Sequence, residues 1–161
     1  MAKTMRIAIV SDKSGFPLKE AVAEYLRTRD DVDLTDFGIP NEEEAQPYDV
    51  QAPKVAKAIQ SGEADRGVAI CGTGQGMAIV ANKHKGVYAV VADTLFAAQR
   101  GRVINNSNVL TMGGWITAPF LGIEIVKSWL ELAFTELMPD RAEWLRGAFE
   151  RVQAIESDQF K

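Results

Sequence analysis

Gly67-Val68-Ala69-Ile70-Cys71-Gly72-Thr73-Gly74-Gln75-Gly76-Met77 is the stretch that decides the fold. Its first five residues are uncharged and mostly apolar, the pattern of a strand buried on both faces. A glycine-rich turn follows at once, and helical spacing begins at Met77. A strand running through such a turn into a helix is one unit of a parallel α/β sheet.

The same alternation extends in both directions. Upstream, residues 50–60 carry Val55 and Ile59 on one helical face and end at Gly62. An acidic, polar stretch, 41–49, reads as an exposed loop, and 32–37 as a strand closed by Gly38. Arg6-Ile7-Ala8-Ile9-Val10 predicts the first strand. Ser14 offers a helix N-cap there and Pro17 suits the first turn. Downstream, helices over 77–83 and 94–103 alternate with strands over 87–91 and 108–112. Residues 119–137 predict an amphipathic helix, and 140–156 a last one after Pro139.

Right-handed crossovers restrict this order to one Rossmann-like three-layer α/β/α domain over residues 1–161, with a five-stranded parallel sheet and an added C-terminal helix. That helix carries Trp144, Leu145, Phe149, Val152 and Ile155. It either packs on its own domain or crosses to a partner subunit.

Bulk composition narrows the function classes. Hydrophobic residues are 47% and charged residues 25% of the chain, the proportions of a globular protein. A net charge of −4 leaves no basic footprint for nucleic acid or an anionic membrane. No apolar run reaches the ~18 residues of a membrane span. A single cysteine excludes an internal disulfide and a CxxC zinc or redox framework, and a single histidine, His84, excludes a His-rich metal site. Met1 to Met5 shows no export signal, so the expected location is the cytoplasm.

Ligands of open parallel sheets bind beyond the carboxyl ends of the strands. Polar groups stand at three such ends: Ser11-Asp12-Lys13-Ser14-Gly15, Cys71-Gly72-Thr73-Gly74-Gln75-Gly76 and Ala92-Asp93-Thr94. Glycines 72, 74 and 76 expose backbone N–H groups around a concavity, a nest for a phosphate or an oxyanion. The spacing is not the dinucleotide fingerprint, because Met77 holds the third glycine's place. Cys71 adjoins the nest. On a buried strand it is either a small hydrophobe or, beside such N–H groups, a thiolate. Nucleophilic acyl transfer calls for a histidine to take the thiol proton, and His84 lies in a solvated Lys83-His84-Lys85-Gly86 turn. Proton abstraction beside a carbonyl, with the enediolate held by the nest, fits better.

These residues resemble a known family. Ser11-Asp12, Ile70-Cys71-Gly72-Thr73-Gly74-x-Gly76-Met77, Ala81-Asn82-Lys83 and Asn105-x-x-Asn108-Val109-Leu110 are similar to ribose-5-phosphate isomerase B and galactose-6-phosphate isomerase, over roughly residues 5 to 155. The resemblance implies an aldose–ketose isomerase of phosphorylated sugars with no metal or organic cofactor. It implies a homodimer or homotetramer whose active sites are shared between subunits. By motif position Cys71 is the proton-transfer base, Thr73 its helper, and Gly72, Gly74 and Gly76 the anion hole. Asp12, Tyr48 and Asn105 fall at substrate-contacting places, and Arg151 matches an arginine that binds phosphate in the partner's site.

The departures carry information. The family's Asp-His after the first strand is Asp12-Lys13, and the ring-opening histidine is Ile104. Trp115 stands where a phosphate-binding arginine is expected, and another expected near Gly147 is missing, with Arg146 beside that position. A four-carbon sugar phosphorylated at its end cannot close a furanose ring and needs no ring-opener. The expected substrate is therefore short, such as an erythrulose phosphate, with Lys13 supplying charge and Trp115 either shortening the pocket or packing in the core or an interface. The alternatives are a ribose-5-phosphate or galactose-6-phosphate type isomerase, or a half-site subunit that needs a dissimilar partner.

Overall fold

A computed structural model describes residues 4–160. The reading of Met1 to Met5 therefore falls largely outside the described residues.

Five strands form one parallel sheet: β1 (Met5–Ser11), β2 (Val32–Asp36), β3 (Arg66–Cys71), β4 (Ala89–Val91) and β5 (Val109–Gly113), in the order β2-β1-β3-β5-β4. Six helices accompany them: α1 (Phe16–Arg27), α2 (Tyr48–Ser61), α3 (Gln75–Ala81), α4 (Leu95–Asn105), α5 (Pro119–Leu130) and α6 (Ala142–Gln159). Strand alternation divides the core in two. Ile7, Ile9, Val68, Ile70, Leu110 and Met112 pack with α1, α4 and α5, while Ala8, Val10, Ala69 and Cys71 pack with α2 and α3. The chain leaves β1 toward β2 and returns to β3 on the other side. The loops after β1 and β3 thus diverge and leave a crevice between them.

Several boundaries differ from the sequence reading. Gly15, not Ser14, is the N-cap of α1; the Asp12 carboxylate accepts the Gly15 N–H at 3.0 Å and shapes the turn itself. Helix α2 starts at Tyr48, inside the expected loop. Strand β4 starts at 89 rather than 87, because two asparagines pin the chain ahead of it. Asn108 Oδ1 accepts the Tyr88 N–H while its amide donates to the Gly86 carbonyl, both at 2.8 Å. Asn82 clasps the Ala89 backbone in the same two-handed way.

The largest difference is α5, which ends at Leu130 instead of 137. Arg66 donates to the carbonyls of Trp129, Leu130 and Leu132, and Arg102 also donates to Leu132. These guanidiniums take carbonyls that the next helical turn would have used. Burial, with the neighbouring Arg102 charge, lowers the Arg66 pKa to about 10.

Helix α6 lies back on the rest of the chain. Leu145 is buried, Phe149 meets Tyr88 and Phe134 edge-on, and Glu156 accepts the Gly86 N–H (2.6 Å) and the Tyr88 hydroxyl (2.8 Å). Its other face leaves Trp144, Val152 and Ile155 exposed. Burial and the Glu156 contact push the Tyr88 phenol up to about 12 from 10.0. The folded chain therefore holds this proton more tightly than the unfolded chain. The stability it contributes is complete below about pH 10 and is lost as pH rises through about 12. Melting temperature should fall over that range more steeply in the native chain than in Tyr88→Phe, which an alkaline thermal-melting series measures.

Candidate active site

The crevice between the β1 and β3 loops opens into a pocket of about 380 Å³ lined by Asp12, Ser14, Tyr48, Cys71, Gly72, Thr73, Gly76, Ile79 and Trp115. Each arrives by a local device. Cys71 is the last residue of β3, and its sulfur accepts the Gly74 N–H at 3.1 Å. That bond requires the turn that Gly74 makes at φ +77°, a conformation few side chains tolerate. The Gly74 amide thus faces the thiol instead of standing free for a ligand. The Gln75 N–H meets Thr73 Oγ1 at 3.4 Å.

Two aromatic rings wall the pocket. Tyr48, at the start of α2, lies so close over Gly76 that a Cβ there would sit 2.7 Å from the ring. Trp115 lies over Gly72 equally closely. The loop after β5 carries it there, because the Gly114 and Trp115 N–H groups donate to the carbonyls of Cys71 (2.7 Å) and Gly72 (3.0 Å). Trp115 is 75% exposed and belongs to the pocket wall, not to the core.

Asp12 supplies the one carboxylate of this lining. Burial raises its pKa, opposed by the backbone N–H groups of Gly15 and Ser14. Lys13 is exposed and outside the lining. His84 also lies outside, with Nδ1 3.1 Å from the Val80 carbonyl.

Asn105, Arg146 and Arg151 are not in this pocket. Asn105 lines a second groove with Asn82, Tyr88, Ile104, Trp144, Ala148 and Val152, between α6 and the β4 edge. Neither arginine lines that groove; both are exposed on α6, and the Arg151 guanidinium lies near Gly147. One chain therefore holds two separate clusters, the thiol with Asp12, Tyr48 and Thr73, and Asn105 with Ile104.

A family model described as Ribose/Galactose Isomerase matches residues 7–143. The chain belongs to this family. It is 48% identical to 4-deoxy-4-sulfo-D-erythrose isomerase of Clostridium sp. (strain MSTE9), covering 98% of this chain and 99% of that one. It is 40% identical to D-erythrulose-4-phosphate isomerase 2 of Mycolicibacterium smegmatis, over 81% of this chain and 86% of the relative. Among solved structures, ribose-5-phosphate isomerase B of Clostridium thermocellum superposes with a TM-score of 0.88 at 34% identity, covering 96% and 99% of the two chains. The three-layer fold with its C-terminal helix is thus that of the family. Asn82 and Asn108, residues of the family motifs, act here as clamps on the β4 backbone. Nothing local in the sequence signals that role, which depends on pairing with residues 7 to 22 positions away.

Proposed function

We propose that the chain is an aldose–ketose isomerase of a four-carbon sugar bearing an anionic group on C4, working in the cytoplasm as a homodimer or homotetramer. The carrying observation is the Cys71 sulfur, held by the Gly74 N–H in a pocket with Asp12 and Thr73. In this mechanism the Cys71 thiolate takes the proton from C2 of the aldose. The C–H electron pair forms the C1=C2 bond and the carbonyl pair moves to O1, giving an enediolate. Thr73 relays a proton between O1 and O2, and the Cys71 thiol returns its proton to C1. Amides around Gly72 and Gly76 face the developing oxyanion. Asp12 and Tyr48 hold the substrate hydroxyls.

The second groove supplies the rest from the partner subunit, with Asn105 reaching the substrate and Arg151 and Arg146 near its anion. Ile104 beside Asn105 supports a substrate that never cyclises. A C4 occupied by phosphate or sulfonate has no hydroxyl for furanose closure. Relatives named for a sulfo-erythrose and an erythrulose phosphate support the same length.

The test is a rate comparison on four-carbon sugars with either anion and on ribose 5-phosphate. Removing a general acid–base group costs about 10²–10⁴-fold where a step needs it, and ring opening of ribose 5-phosphate needs one. The four-carbon substrates should therefore be faster by at least about 10²-fold. Ribose 5-phosphate turned over as fast as either would overturn the proposal.

A further inference from the structure

Resting on the four-carbon reading, we infer that the terminal anion is a sulfonate on C4, and that Trp115 is the residue that selects it over a phosphate ester.

The first argument is length. Trp115 is fixed by its own N–H to the Gly72 carbonyl, and its indole lies on Gly72 at the pocket wall. A phosphate ester sets its phosphorus one oxygen beyond C4, whereas a sulfonate attaches sulfur directly to C4. The pocket that Trp115 narrows suits the shorter group.

The second argument is charge. A phosphate monoester carries about −1.5 to −2 near pH 7, while a sulfonate carries −1 throughout the physiological range. The Cys71 pocket is lined by one carboxylate, Asp12, and by no lysine or arginine. The second groove is lined by no lysine or arginine either. An extra negative charge leaving water here meets no guanidinium fork among the lining residues, and an uncompensated charge is costly. Backbone amides, with Arg146 and Arg151 exposed outside both linings, match a monoanion better.

The experiment measures kcat/KM for 4-deoxy-4-sulfo-erythrose and for erythrose 4-phosphate with the native chain, Trp115→Arg and Trp115→Phe. Trp115 is 75% exposed, so both variants leave the core in place; circular dichroism checks this. The native chain should favour the sulfonate by about tenfold or more, the worth of one charge-assisted hydrogen bond. Trp115→Arg should raise the rate on the phosphate and lower it on the sulfonate, reversing the ratio. Trp115→Phe should keep the native preference. A native chain that prefers the phosphate overturns this inference and leaves the four-carbon reading standing. An unchanged ratio in Trp115→Arg overturns the role of Trp115. Turnover of neither compound overturns the four-carbon reading and this inference together.

Discussion

Cys71→Ala is expected to lower kcat on the four-carbon substrate by about 10²–10⁴-fold, the cost of removing a general base that the step requires. The fold should survive the change. Cys71 ends a strand, its side chain is 5% exposed, and alanine deletes one sulfur atom without introducing a polar group. Cys71→Ser is the sharper control. It keeps a similar shape and an acceptor for the Gly74 N–H, but its hydroxyl is a far weaker acid than a thiol and is not ionised near neutral pH. Serine should therefore be almost as damaging as alanine. Exchange of the C2 proton with deuterated solvent, followed by NMR, separates the proton-transfer step from binding. It should disappear in both variants while substrate still binds. Retention of exchange in Cys71→Ala would mean that another group is the base.

The second large effect concerns the two clusters. Asn105→Ala should fall by about 10²-fold, the cost of one donor to a developing oxyanion, although Asn105 is absent from the Cys71 pocket of its own chain. Mixing Cys71→Ala chains with Asn105→Ala chains under conditions of subunit exchange should restore about a quarter of native activity. Random pairing makes half the dimers mixed, and each of these has one intact site of two. Thr73 shares the Cys71 pocket, so mixing Cys71→Ala with Thr73→Ala should restore nothing. Recovery in the second mixture, or none in the first, would show that the two groups do not meet across subunits. A native chain that stays inactive until a different subunit is added would favour a dissimilar partner.

Most of the fold was legible because its signals are local. The run from Gly67 to Cys71, the glycine turn and the helix behind it announce burial, reversal and restart within eleven residues. Two of the misplaced boundaries, the end of α5 and the start of β4, share one cause. Helix α5 keeps apolar residues to 137, but Arg66 and Arg102 arrive from distant parts of the chain to take its last carbonyls. Likewise, residues 87 and 88 look like strand, but Asn108 occupies the Tyr88 N–H. Pattern records which face is buried and not which partner is near.

The site divides along the same line. Cys71, Gly72, Thr73, Gly74 and Gly76 are contiguous, so the turn that holds the thiol could be read directly. Trp115 stood out only against the family pattern, at a place where the resemblance expects an arginine. Its place against Gly72 depends on two hydrogen bonds between loops some forty residues apart.

By itself, then, the sequence determined the parallel α/β architecture and the strand-end cysteine with its glycine turn, because strand alternation, helix period and glycine conformations act over a few residues. Only the tertiary structure decided the strand order, the docking of α6 through Glu156 on Gly86 and Tyr88, and the separation of Asn105 from Cys71. Those outcomes depend on contacts between segments far apart in the chain, which no local pattern encodes.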